Sequence, residues 1–195
     1  MADGDKVTLE TAEAATDMKS LRYGRDEHYD TVSAFIKSMR GSDVDASVYW
    51  LARMLEAGED ARFIARRIVI FASEDVGMAD PTALLVADAA ARAVEFVGLP
   101  EAQINLSQAV VHLAKAPKSN ASYKAILAAR SDVKSLPIGE VPLHLRDAHY
   151  QGAETLGHGS GYKYPHNHEG GVVDQQYLPE EVANSVYYQP TERDL

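Results

Sequence analysis

The chain has 195 residues, of which 46% are hydrophobic, 25% charged and 8% aromatic; this excludes a disordered or fibrous polypeptide and leaves room for one sizeable globular domain or two small ones. Cysteine is absent, which removes disulfide scaffolds, thiolate metal sites and cysteine nucleophiles and points to a reducing cytoplasm. The formal net charge is −10, but residues 31–135 carry 12 acids against 12 bases, so the acidity lies at the two ends and an anion-binding face in the middle stays possible. No apolar run approaches the roughly 18 residues of a membrane span, and the start MADGDKVTLE lacks the pattern of a signal peptide.

In chain order, Thr8 is expected to cap a helix carrying Leu9, Ala12, Ala15 and Leu21, followed by a polar linker over 23–28. The next helix is expected from Asp30 or Thr31, with Val32, Phe35, Ile36 and Met39 as its apolar stripe and Gly41 as the left-handed residue that ends it. Ser42 is then read as the cap of a helix that turns Val48, Leu51, Ala52 and Leu55 inward and stops at Gly58. Asp60 opens a third helix with the stripe Phe63, Ile64, Ile68 and Phe71, ending near Ala72 or Ser73. Asp80 followed by Pro81 starts another, through Leu84, Leu85, Ala91 and Val94 to Gly98, its many alanines suiting close packing. Pro100 begins a helix with Ile104, Leu106, Val110 and Leu113 that Pro117 forbids from continuing, and Ser119 or Asn120 caps a last one carrying Tyr123, Ile126 and Leu127.

Past Pro137 the periodicity fades. From Val141 onward lie five of the seven histidines, six of the ten tyrosines and six of the thirteen glycines, which predicts a brief helix over Leu143 to Tyr150 and then an extended segment whose rings bury against the helices or a neighbouring subunit. The fold class expected is all-α: a compact bundle of about six helices with an irregular Gly/Tyr/His-rich C-terminal segment.

The chain holds no G-x-x-x-x-G-K-[ST], dinucleotide fingerprint, G-x-S-x-G or H-E-x-x-H, so no catalytic template applies. His158, His166, His168 and Glu169 could supply ligands to a metal in a hydrolase, but their spacing is generic, and turn-forming glycines, packed tyrosines and backbone-bonded histidines are the favoured account of them. His112 reads as a structural histidine, and Ser73, Glu74 and Asp75 as helix-terminating residues. Arg66, Arg67, Lys115, Lys118 and Lys124 are candidates for phosphate contacts, against the alternative of a solvated face with intrahelical pairs such as Glu59 to Arg62 or Arg66. No helix-turn-helix pattern supports sequence-specific reading of DNA.

The string HYDTVSAFIKSMRGSDVDASVYWLARMLEAGEDARFIARRIVIFASEDVGMADP, from His28, resembles the C-terminal part of the replication-associated recombination protein A family of AAA+ ATPases. That family is also called maintenance of genome stability protein A and includes the eukaryotic Werner helicase interacting protein. The resemblance runs on through LPEAQINLSQAVVHLAKAPKSNASYKAI, VPLHLRDAHY, LGHGSGYKYPHNHEGG, QQYLP and YYQPTERD, over about residues 21–195.

This resemblance implies that residues 1–29 are the end of a lid helix and a linker, 30–136 a helical domain similar to the clamp-loader collar, and 137–195 a short helix plus an extended segment. It implies a preceding ATPase module that holds the Walker motifs, ATP and Mg2+, with no cofactor and no catalytic site here. It further implies assembly into a homotetramer, a DNA-dependent ATPase acting at stalled replication forks near the bacterial nucleoid, nonspecific DNA contact through the parent protein, and work alongside single-stranded-DNA-binding protein. The aromatic Tyr162, Tyr164, Tyr187 and Tyr188 are the expected subunit contacts, the alternative being packing within the monomer. An adaptor that binds a replication protein in a groove between helices is the competing reading.

Overall fold

The computed structural model describes residues 25–194. They form six α-helices, α1 (Arg25–Arg40), α2 (Val44–Glu56), α3 (Ala61–Phe71), α4 (Thr82–Val97), α5 (Ala102–Lys115) and α6 (Ala121–Ser135), and among the described residues there is no β-strand. No helix among them is long and apolar enough to cross a membrane. The chain divides into two compact units, one containing residues 25–123 and 190–194, the other residues 124–189, so the boundary expected after residue 136 falls inside the second. The expected Thr8 helix lies outside the described residues.

The first unit is built around α5, which packs against α1, α2, α3 and α4 and buries Leu106, Val110 and Leu113 together with Ala102, Ala109 and Ala114. Against it lie Phe35 and Met39 of α1, Leu51 and Met54 of α2, and Ile64, Ile68 and Phe71 of α3. On α4 the buried face is Ala83, Ala87, Ala90 and Val94, spaced at i, i+4, i+7 and i+11. The expected Leu84 and Leu85 point outward instead: Leu85 is 71% exposed and Phe96 91%. Small alanines let α4 press close to its neighbours, and that face leaves the larger side chains outside. In the same way Ala52 of α2 is exposed, whereas Ser47 and Met54 take inward positions.

Three boundaries differ from expectation. α1 starts at Arg25, within the supposed linker, because its first turns are held by partners distant in sequence: His28 Nδ1 lies 2.7 Å from Glu59 Oε2, and Arg53 Nη2 donates to Glu27 Oε1 at 2.5 Å. Thr31 is inside this helix, its hydroxyl donating to Glu27 O. At the end of α1 the left-handed residue is Ser42 (φ 62), not Gly41. The Ser42 and Asp43 amides donate to Met39 O and Ser38 O, the two bonds of a Schellman motif. Asp43 then caps α2 by accepting from the Ala46 amide, the role assigned to Ser42.

The remaining caps stand as expected. Asp60 accepts from the Arg62 amide, Asp80 from the Thr82 amide and hydroxyl, and Ser119 from the Ala121 amide. α3 ends at Phe71 and passes into a wide π-type turn, Ala72–Val76.

In the second unit, α6 is followed by irregular chain with short 3-10 turns at Leu143–Leu145, Pro165–Asn167 and Glu180–Val182. The brief helix expected over Leu143 to Tyr150 stops after its first turn. Gly159 N–H donates to Leu143 O, the acceptor that the next helical amide would need, and Asp147 Oδ1 takes up the His149 amide.

Candidate functional site

The candidate residues lie on two surfaces, one in each unit. In the second unit, Ala153 is the only buried side chain among the described residues. Ile126 and Val133 lie on one face of α6 and Leu127 about 100° round from them, and all three are exposed. Val133 (67%), Ile138 (86%) and Val172 (78%) are mostly in water. The only residue that α6 buries is Ala121, at its start in the first unit. These side chains leave apolar area of the second unit in water.

Tyr162, Tyr164 and Tyr188 are exposed on this unit, Tyr164 with its ring centre 5.1 Å from that of His166. Tyr187 is half-buried and donates to Asp132 Oδ2 of α6 at 3.0 Å, so it braces the unit from within. His158 Nδ1 meets the Tyr150 hydroxyl at 2.7 Å. Among the described residues no group of three or more His, Asp and Glu side chains is placed to hold a metal, so His158, His166, His168 and Glu169 are not gathered into a ligand set.

The cations of the first unit are separated by the fold. Adjacent Arg66 and Arg67 leave α3 on different sides. Arg66 is exposed beside a groove of about 660 Å3 between α3 and α4, with Arg62, Val69, Ile70 and Arg92. There Arg62 pairs with Glu95 at 2.6 Å and Arg92 with Asp88 at 2.8 Å. Arg67 turns to a second groove of about 410 Å3 between α1 and α3, shared with Tyr29, Ile36, Lys37 and Phe63. Its Nε is buried without a hydrogen-bond partner. Tyr29 and Lys37, eight residues apart along α1, both line this second groove.

Lys115 is exposed at the end of α5, and Lys124 is exposed in the second unit. Lys118 is differently employed. Its ammonium donates to Ala114 O (3.0 Å), Ala116 O (2.5 Å) and Ser42 Oγ (3.1 Å), which uses all three protons to close the end of α5 onto the α1–α2 turn. Burial lowers its pKa from the usual 10.5.

Beside it, Asp75 in the π-type turn receives a fork from Arg40, Nε to Oδ1 at 2.5 Å and Nη2 to Oδ2 at 3.1 Å. That hydrogen bond raises the Arg40 pKa above its ordinary value. Asp75 therefore ties the end of α1 to the turn after α3, a tertiary role beyond helix termination. Asp80, the α4 cap, has its carboxyl pKa lowered first by the Thr82 hydroxyl, with a smaller contribution from His112, whose Nε2 lies 3.3 Å away.

The sequence holds no G-x-x-x-x-G-K-[ST], and the Asp75 and Asp80 carboxylates are engaged in an ion pair and a helix cap.

Comparison with known proteins matches this sequence to a family. The model described as the C-terminal region of the MgsA AAA+ ATPase covers residues 41–195. An AAA domain-containing protein of Mycobacterium tuberculosis is 57% identical over 194 residues, 98% of this chain and 43% of that protein. Replication-associated recombination protein A of Bacillus subtilis is 50% identical over 192 residues, 97% of this chain and 45% of that protein. Its counterpart of the same name in Escherichia coli K12 is 45% identical over 171 residues, 87% and 38% respectively. The chain thus spans less than half the length of these relatives.

Proposed function

The chain belongs to the C-terminal family of the MgsA, or replication-associated recombination protein A, AAA+ ATPases, and from that premise we propose that it is the association domain gathering the ATPase modules of its parent protein around DNA. The observation that carries this reading is the second unit's exposed apolar surface, with Ile126, Leu127, Val133, Ile138 and Val172 in water and a single buried side chain, Ala153, among the described residues. Interfaces that hold obligate homo-oligomers commonly bury more than about 2,000 Å2 with aromatic and aliphatic side chains at their centres. Tyr162, Tyr164 and Tyr188 supply rings for such a contact, and four copies are proposed.

Assembly would raise the local concentration of weak DNA contacts, so that several modest sites act as one tight site. Arg66, Arg67, Lys115 and Lys124 are the proposed phosphate contacts; Lys118 is spent within the fold. In the parent protein, ATP and Mg2+ belong to the preceding ATPase module, and the setting proposed is the bacterial cytoplasm at the nucleoid, with single-stranded-DNA-binding protein as a partner.

Sedimentation velocity on the whole chain tests the reading. The expected result is a species several times the 21.3 kDa monomer, shifted toward monomer by Ile126→Ser with Val133→Ser. A single monomeric boundary for the unmodified chain at tens of micromolar would overturn it.

A further inference from the structure

We infer that the chain over residues 187–194 is a releasable strap laid along α6, fastened by Tyr187 at Asp132 and by Asp194 at Ser119, and that its closure keeps α6 helical. The inference goes beyond association but bears on it, because α6 carries Ile126 and Val133.

α6 has 15 residues, a length at which a helix in water is marginal unless something packs on it. No other helix packs along it, and only Ala121 is fully buried. Its partial shielding nevertheless follows a pattern. Ser122, Ala125, Ala129 and Asp132 are its half-buried residues, spaced at i, i+3, i+7 and i+10 on one face, and three of them are small enough for an extended backbone to lie against. Tyr187 marks what lies there at one end: its hydroxyl donates to Asp132 Oδ2 at 3.0 Å.

At the other end is Asp194. Its Oδ2 accepts the Thr191 amide at 2.6 Å, and its own amide donates to Thr191 O at 3.1 Å, so residues 191–194 close into a turn. Asp194 Oδ1 is buried. The Ser119 hydroxyl bonds to this carboxyl and holds its pKa below the ordinary 3.8. The same Ser119 oxygen accepts the Ala121 amide, so one hydroxyl joins the strap to the first turn of α6, whose positive end favours a carboxylate.

The lengths agree with this course. From Ser119 to Asp132 the chain rises about 20 Å at the helical pitch, and from Tyr187 to Asp194 it reaches up to about 23 Å. Between the two fastenings Tyr188, Gln189 and Pro190 are exposed. The ends alone therefore hold the strap, and a segment with so few buried contacts opens locally well before the fold is lost.

Hydrogen–deuterium exchange of the whole chain, read by mass spectrometry, tests the strap. Asp194→Ala should speed exchange about tenfold in peptides covering residues 119–127, and Tyr187→Phe, which removes only the hydroxyl, should do the same for residues 128–135. Both changes together should loosen α6 by more than the two singly, because either fastening alone keeps the strap seated. Asp194→Asn, which keeps an acceptor for Ser119, should recover part of the protection. Glu192→Ala, which removes an exposed acid of the same segment, should change nothing, and peptides of α5 should exchange as before throughout.

Association through Ile126 and Val133 would itself slow exchange in α6, so each comparison is repeated with Ile126→Ser and Val133→Ser in place. If the unmodified chain sediments as a monomer, the association reading falls and the strap is still read directly. Equal exchange in α6 for the unmodified chain and for Tyr187→Phe with Asp194→Ala would overturn the inference. A rise of the same size in α5 would overturn it too, by making the two contacts part of general stability, as would a rise that vanishes in the Ile126→Ser, Val133→Ser background.

Discussion

Gly77 carries the sharpest mechanical prediction. It lies between the π-type turn and the approach to α4 at φ 53 and ψ −130, and a Cβ built there would stand 2.7 Å from the carbonyl oxygen of Ser119. The crowding atom belongs to backbone, and Ser119 N–H is itself bonded to Val76 O, so neither strand of this junction can yield cheaply. Gly77→Ala therefore meets two costs. A side chain in that sparsely allowed backbone region costs about 1–3 kcal/mol, and forcing two packed segments apart costs a further 1–3 kcal/mol or so. Together these take about 2–6 kcal/mol from a total stability that for ordinary proteins is about 5–15 kcal/mol.

Urea unfolding followed by Trp50, the single tryptophan and part of the first unit, measures the loss directly. At this chain length the melting temperature should fall by roughly 5–20 °C. Gly58→Ala is the control: φ is 80 there, but nothing lies within 4 Å of the added Cβ, so only the strain of about 1–2 kcal/mol remains. Equal midpoints for the two variants would refute the argument, because the approach to Ser119 would then carry no weight.

Asp80→Ala should cost about 0.5–2 kcal/mol at neutral pH through loss of the α4 cap. In the folded protein the Asp80 carboxyl sits below its ordinary 3.8, chiefly through the Thr82 hydroxyl. The unfolded chain therefore takes up the proton first, so the contribution is full above about pH 4 and is lost as the pH falls through the folded value. An acid titration of stability should accordingly be shallower in the variant; an unchanged slope would remove Asp80 from the account. Lys118→Met should cost about 1–3 kcal/mol by stranding two carbonyls while leaving DNA affinity in a gel shift as it was, which separates it from Arg66 and Lys115. Arg40→Met strands the buried Asp75 carboxylate and should lose about 1–3 kcal/mol in urea unfolding, with Asp75→Leu added to it recovering part of the loss.

Much of the first unit was legible locally. Asp60, Asp80 and Ser119 cap where the sequence says, and Gly58 (φ 80) ends α2 as expected, because a cap is a contact between residues two or three apart. Ser42 defeated the same logic: glycine at 41 is the cheaper left-handed residue, but the chain turns one position later, where Asp43 can reach the Ala46 amide. The α4 face was misjudged because both Leu84–Leu85 and the alanine series fit a helical period, and only contact with α3 and α5 selects between them. At the sites, Arg66 and Arg67 look like one cationic pair in sequence, yet adjacent residues on a helix are rotated by about 100° and fall into different grooves.

The succession of six capped helices, the change of character after Pro137 and the family were determined by the sequence alone, since caps, periodicity and turn residues act over a few positions. Which cations stay available, which aromatics stand in water and which apolar stripe lacks cover were decided only by tertiary structure. Lys118 is the clearest case: it reads as one of five equivalent bases along the chain, and beside its local bonds to Ala114 and Ala116 it reaches Ser42, which folding brings into contact from 76 positions away. Local rules carry no information about such distances, and burial is a property of the packed whole.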